Sequence, residues 1–447
     1  MSEARSLGWS ALMRLALVQT AIGAIVVLVT STLNRVMIVE LALPAVVPAS
    51  LVATHYLIQL LRLHHGYRVD AIGRAGTRIV GGLAVLAVSG IAAAVATVWM
   101  RSNFRAGLLL SLFAYLAVGI GVGAAGTANL TLLSKRVAPR QRPLVAALVW
   151  IMMIAGFSVS AGLAGHFLQP FSARRLVQVF AVACTLAFLI AWLAVRRLDE
   201  TPVAGSIQPA NRVRARGGFG VALQGVWADP VARRFTAFLF ISMLAFSAQE
   251  LLLEPFAGLV FGLPPGASAR LSGLQNAGVL VGMVALVVAA VLRRGPAHPR
   301  FAVRWMIGGT IGSALAIAVL ALIAGHPLLQ LLFGTAFALG LANGVFAVAA
   351  LGVMMELSSA GGHGGEGVRM GLWGAAQALA FAAGGLSAGI AADLSRRWLG
   401  SPAAAYACVF CFDAALFLVA SGCAFRLGGS TAARQAPALA AKPALEL

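Results

Sequence analysis

The chain has 447 residues, of which 60% are hydrophobic and only 10% charged, with a formal net charge of +20. That is too little polar sequence to coat a water-soluble globule of this length. The cations punctuate apolar runs instead of gathering on one patch, which excludes a nucleic-acid reader and leaves a protein that crosses the lipid bilayer many times.

At about 20 apolar residues per crossing, the sequence predicts an all-α integral membrane protein with twelve transmembrane helices. They fall over residues 13–38, 45–63, 78–99, 106–133, 144–168, 175–195, 234–254, 268–292, 301–324, 327–356, 369–394 and 403–425. The first apolar run, Leu15 to Leu43, is far longer than a signal-peptide core and is read as a retained helix. Within it, Asn34-Arg35-Val-Met-Ile-Val-Glu40 sets opposite charges five residues apart, outside the i, i+4 register in which helix neighbours pair. The expectation is that Arg35 pairs with another helix, Glu250 or Glu254 foremost. A ligand or proton contact and snorkelling to the outer surface are the alternatives.

In the second span, His55 offers a neutral imidazole for the magnesium of a porphyrin-type pigment or for a hydrogen bond to a neighbouring helix. The following loop, Gly66-Tyr-Arg-Val-Asp70-Ala-Ile-Gly73-Arg74, has glycines that permit a tight turn and an aspartate able to accept from helix ends or pair with arginine. The alternative is an ordinary basic loop.

The longest polar segment, Arg196 to Ala232, divides six spans from six. The expected organisation is an N-terminal lobe 1–195, a cytoplasmic linker 196–232, a C-terminal lobe 233–428 and a disordered cytoplasmic tail 429–447. One side of the spans carries 25 Lys and Arg and the other 7, which puts both termini in the cytoplasm. A repeat joins the halves: Gly81-Gly82 recurs as Gly308-Gly309, and Ser160-Ala-Gly162 as Ser387-Ala-Gly389, both at an offset of 227 residues. Two parallel six-helix halves are the arrangement of the major facilitator fold. Trp227-Ala-Asp-Pro230, with Arg233 and Arg234 behind it, reads as an amphipathic segment on the cytoplasmic face.

The seventh span holds the least ordinary chemistry. Ser247-Ala-Gln249-Glu250-Leu-Leu-Leu-Glu254-Pro255 puts two carboxylates on one helical face in an apolar run. Each costs about 2.5 to 3.5 kcal/mol at a helix centre, so such groups face a protein interior or a wet cavity. Pro255 is expected to bend or end the helix just beyond them. Their distance from Arg234, about 24 and 30 Å along a helix, sets them in the outer half of the bilayer, level with Arg35 and Glu40. Arg35, Glu40, Gln249, Glu250 and Glu254 thus form the predicted inter-lobe charge cluster or ligand-binding site. Asn129, Gln275, Asn276, Asn343 and Gln377 either line the cleft or make helix-to-helix hydrogen bonds. The four cysteines, Cys184, Cys408, Cys411 and Cys423, lie in apolar segments and read as packing residues. No catalytic residues, metal site or covalent cofactor is predicted, because the chain lacks a phosphate-binding glycine loop, a paired metal-binding histidine motif and a nucleophile elbow.

Two of these stretches carry a family resemblance. Leu33-Asn-Arg-Val-Met-Ile-Val-Glu-Leu41 is similar to the first-helix motif of the PucC/LhaA family, the bacteriochlorophyll-delivery branch of the major facilitator superfamily. Gln249-Glu-Leu-Leu-Leu-Glu-Pro-Phe256 resembles its seventh-helix signature, usually written with Asp where Glu250 stands. Gly344-Val-Phe-Ala-Val and Trp373-Gly-Ala-Ala-Gln377 fit it as well. The loop from Gly66 to Arg74 resembles the superfamily's cytoplasmic signature but departs from the family, which often has Gly-Arg-Arg-Thr-Pro where Gly73-Arg-Ala-Gly-Thr-Arg78 stands. The resemblance implies a non-enzymatic protein of the bacterial inner membrane that serves light-harvesting assembly. It would handle bacteriochlorophyll or a precursor as bound cargo, with light-harvesting or reaction-centre polypeptides and pigment-synthesis enzymes as partners. A proton-coupled exporter of a small solute is the alternative, with Glu250, Glu254 and Asp413 as its titrating groups.

Overall fold

A computed structural model describes residues 9–61, 75–136, 142–196, 227–292, 299–326, 328–359 and 366–440. All regular structure among them is helical, as hydrocarbon demands of a chain that must satisfy its backbone polar groups internally. The N-terminal half contributes α1 (Ser10–Glu40), α2 (Val46–Ile58), α3 (Ala75–Trp99), α4 (Phe104–Arg136), α5 (Arg142–Phe167) and α6 (Ala173–Val195). The C-terminal half contributes α7 (Pro230–Phe261), α8 (Pro265–Leu292), α9 (Pro299–Gly325), α10 (Leu329–Ser359), α11 (Glu366–Leu399) and α12 (Pro402–Ala440). Eleven are long and apolar enough to cross a bilayer; α2 is shorter and passes into a 3-10 turn at Gln59–Leu61.

Three boundaries differ from expectation. Asp229 and Pro230 start α7 inside the stretch assigned to the linker, the aspartate accepting from the Val231 amide at 3.0 Å and the proline occupying a first-turn position that needs no donor. At its other end α7 runs past Pro255 to Phe261 and stops where Gly262 adopts the left-handed conformation, φ 66°. The last helix continues to Ala440, into the tail predicted to be disordered from residue 429.

The halves repeat the same packing, α1 on α5, α3 on α4 and α3 on α6 being matched by α7 on α11, α9 on α10 and α9 on α12. The paired glycines show why the repeat is visible in sequence. A Cβ on Gly82 would lie 2.6 Å from the Ala125 nitrogen of α4, and one on Gly309 2.7 Å from the Phe346 nitrogen of α10. Close backbone crossing fixes both positions as glycine. Each lobe has its own apolar core, but at their junction Ile38 and Ala45 join the C-terminal core while Leu251 joins the N-terminal one. The outer surface is apolar in turn, as on α6, where Val182, Leu186 and Leu193 are exposed. Lipid is the solvent there.

Candidate functional site between the lobes

The end of the bundle that carries the α1–α2, α7–α8 and α11–α12 turns, opposite the start of α1, is termed the distal end below. Toward that end α1 loosens twice into π-helical turns, Leu28–Thr32 and Val36–Glu40. A π turn bonds i to i+5, as in the 3.1 Å bond from the Leu41 amide to the Val36 carbonyl, and so brings residues five apart onto one side. That corrects the expectation for Arg35. Its Nη1 pairs with Glu40 Oε1 at 2.5 Å within the same segment, not with Glu250 or Glu254, because the wider turn supplies the register that a regular helix lacks. Its Nη2 donates to the Leu263 carbonyl oxygen at 2.6 Å, beyond the end of α7 in the other lobe. Arg35 is fully buried, whereas the Glu40 side chain is about one-third exposed.

Next to this ion pair, α1 and α7 exchange hydrogen bonds whose logic lies in Pro255. A regular helix would satisfy the Leu251 carbonyl with the amide of residue 255, and proline has none. The Asn34 side-chain amide donates to that carbonyl from the other lobe at 2.6 Å. One turn away, Ser31 Oγ donates to Glu254 Oε1 at 2.6 Å and lies 3.4 Å from the Ser272 hydroxyl of α8. Glu254 is buried and lies within electrostatic reach of Arg35. Glu250, one turn back along α7, is half-buried and has no hydrogen bond or ion pair with a described residue. Gln249 is buried with neither amide atom bonded among the described residues. Thr32 Oγ1, Asn34 Oδ1, Arg35 Nε and Glu254 Oε2 are likewise buried and unbonded. Buried polar atoms nearly always find partners, so α1 and α7 together hold polar capacity for water or for polar groups of a ligand.

Further contacts fasten the distal end. Both carboxylate oxygens of Asp393 on α11 accept backbone amides at the start of α2, Ala45 at 2.8 Å and Val46 at 2.9 Å. Ser158 on α5 donates to the Gly273 carbonyl of α8 at 2.9 Å, and Arg270 to Gln169 at 3.0 Å. A Cβ on Gly389 would sit 2.7 Å from Ala49 Cβ, so α11 and α2 touch with almost no side-chain spacer.

The other predicted residues are more dispersed. His55 is buried, with Nε2 2.9 Å from Gln59 Nε2 and its ring against Tyr56, which in turn packs on Phe381 of α11. The loop residues Gly66, Asp70, Gly73 and Arg74 lie outside the described residues. Asn129 bonds the Leu15 carbonyl at 3.1 Å and Asn343 accepts from Ser313 at 2.8 Å, both helix-to-helix bonds within a lobe, while Asn276 bonds its own helix. Asp229, besides capping α7, pairs with Arg369 at 3.2 Å, and Arg369 also holds the Leu357 carbonyl at 2.6 Å. That stitches α7, α10 and α11 together at the opposite end.

Asp393 was missed in sequence, where it reads as a boundary charge near Arg396 and Arg397. A signal was available: α2 begins at Ala45 with no capping side chain of its own, so its first amides must be satisfied from elsewhere.

With this geometry in place, comparison with known proteins is informative. A family model described as PUCC protein matches residues 32–431. The chain belongs to the PucC family. Among its relatives, the bacteriochlorophyll synthase 44.5 kDa chain of Rhodobacter capsulatus is 46% identical over 442 residues, covering 98% of this chain and 99% of that one. Protein PucC of the same organism is 29% identical over 437 residues, 92% of this chain and 90% of that one. Among solved structures, a bacterial homologue of the human lysosomal transporter Spinster aligns with TM-score 0.67 at 16% identity, covering 94% of this chain and 96% of its own. A bacterial homologue of human peptide transporters aligns with TM-score 0.68 at 14% identity over 95% and 98%. These likenesses establish the major facilitator fold for this PucC-family chain. The matched region begins at Thr32 and so takes in the Asn34, Arg35 and Glu40 arrangement as well as the seventh-helix motif.

Proposed function

We propose that this protein serves light-harvesting assembly in a bacterial inner membrane, binding bacteriochlorophyll or a precursor and passing it to antenna or reaction-centre polypeptides. It acts without catalysing a reaction on the pigment. The observation that carries this reading is the match to the PucC family over residues 32–431, together with a relative at 46% identity that is named as a bacteriochlorophyll synthase chain. Two six-helix lobes are joined in this account by a cytoplasmic linker that ends before the Asp229 cap of α7, with both termini cytoplasmic. A chlorin is a greasy macrocycle with a few polar handles, and the unbonded amide of Gln249 and the free oxygens of Asn34 and Glu254 suit those handles. His55 is the candidate ligand for its magnesium, Gln59 being the partner that a pigment would displace.

The test is to purify the protein from a pigment-producing host in mild detergent and record its absorption. Chlorin bands should co-elute with the chain and diminish in a Gln249→Leu variant; a pigment-free preparation contradicts the reading. One observation favours the exporter alternative: Asp413 on α12 is buried with neither oxygen bonded among the described residues, as a proton-carrying carboxylate would be. Solute efflux that needs Asp413 while the antenna bands are unchanged would select it.

A further inference from the structure

Beyond the α1/α7 crossing, the distal end holds a cavity of about 390 Å³ whose two walls belong to different lobes. Ala42, Leu43 and Pro44 of the α1–α2 turn form one wall, and Asp393, Arg396 and Arg397 at the end of α11 form the other. The cavity is a cleft open to the surface, lined by both polar and apolar groups, and so suits a headgroup that remains partly in solvent.

The charges in it are unevenly spent. Asp393 commits both oxygens to the Ala45 and Val46 amides. The guanidinium groups of Arg396 and Arg397 make no hydrogen bond or ion pair with a described residue. Of the other distal arginines, Arg270 donates to Gln169 and Arg175 to the Pro170 carbonyl. The side chains of Arg101, Arg105 and Arg174 also make no hydrogen bond or ion pair with a described residue, but they lie outside this cavity. The turn opposite is held in an unusual shape, because Ala42 has φ 52°, a conformation that residues with a Cβ rarely adopt. Such outliers persist where surrounding structure fixes them and gather at ligand sites. Next along α11 stands Trp398, 79% exposed, an indole at the helix end where tryptophans mark the headgroup level of a bilayer.

We propose that this cavity binds the phosphate of an anionic phospholipid, with Arg396 and Arg397 as its anion-binding side chains. Guanidinium groups match phosphate oxygens in a planar, two-pronged geometry. The half-buried Leu43 gives the glycerol end of the lipid an apolar wall, and Trp398 places the site at the membrane surface. Because the walls come from different lobes, a bound headgroup fastens the lobes together at the distal end.

The test uses full-length protein purified in a neutral detergent, with thermal unfolding followed as lipid is added. Dioleoylphosphatidylglycerol should raise the midpoint in a saturable way, and dioleoylphosphatidylcholine and inorganic phosphate should not. Each cationic side chain at headgroup level contributes about fivefold to anionic-lipid binding, so Arg396→Gln with Arg397→Gln should weaken the half-saturating concentration by about 30-fold. Should that variant not fold, Ala42→Glu, at an exposed wall position, sets a carboxylate against the arginines and should likewise raise the half-saturating concentration. Stabilisation reproduced by inorganic phosphate alone would make the occupant a free anion and overturn the lipid assignment. An equal response to phosphatidylcholine, or an unchanged response in the variants, would overturn the site itself.

Discussion

The bond from Asn34 to the Leu251 carbonyl makes a sharp prediction because the reason for it is covalent. Pro255 cannot donate to Leu251, so this buried acceptor depends on an amide that crosses from the other lobe at 2.6 Å. Asn34→Leu strips that donor and leaves a buried carbonyl alone, a cost of about 1–3 kcal/mol. Pro255→Ala restores the helical amide at residue 255 and supplies the bond from within α7. The two changes should therefore be strongly non-additive, with Asn34→Leu destabilising the parent but nearly silent in the Pro255→Ala background, an interaction of about 1–2 kcal/mol. Thermal or denaturant unfolding of the four proteins in one detergent measures the cycle. Equal losses from Asn34→Leu in both backgrounds would refute the reasoning.

Other substitutions probe the remaining contacts. Asp393→Ala removes the cap that α11 places on α2; at about 2 kcal/mol it should raise distal opening about 30-fold. The readout is thiol labelling of a cysteine at Ser272, a buried inter-lobe position, in a background lacking the four native cysteines, and an unchanged rate contradicts the clamp. Gly82→Ala and Gly309→Ala should each lower the unfolding midpoint by overpacking, about 1–3 kcal/mol. Gly81→Ala and Gly308→Ala, whose Cβ atoms would meet nothing within 4 Å, should be neutral or gain about 1 kcal/mol of helix propensity. Arg35→Met should cost about 3 kcal/mol and Glu40→Gln about 1 or less, since only the arginine is fully buried. Equal costs in unfolding assays would speak against the described pairing.

The helical spans and the glycine repeat that relates the halves are legible in sequence because apolar run length and close-packed glycines are local properties. What escaped is geometry that one stretch cannot reveal. The five-residue spacing of Arg35 and Glu40 looks wrong for a helix and becomes right only when the backbone widens into a π turn. Pro255 suggests a helix end, yet α7 continues because Asn34 takes over the missing bond. Asp393 acts on a helix start some 350 residues earlier in the chain, and only the absence of a local cap at Ala45 hints at it. Glu250 shares a face with Glu254 in sequence, but among the described residues only Glu254 has a hydrogen-bond partner in the opposite lobe, Ser31.

The central claim, that the protein serves light-harvesting assembly, is tested most directly by deleting its gene in the phototroph that encodes it and recording the near-infrared absorption of isolated membranes. The account predicts antenna or reaction-centre bands that fall in the deletion strain and return when the intact gene is restored. Unchanged bands and unchanged bacteriochlorophyll content would contradict it.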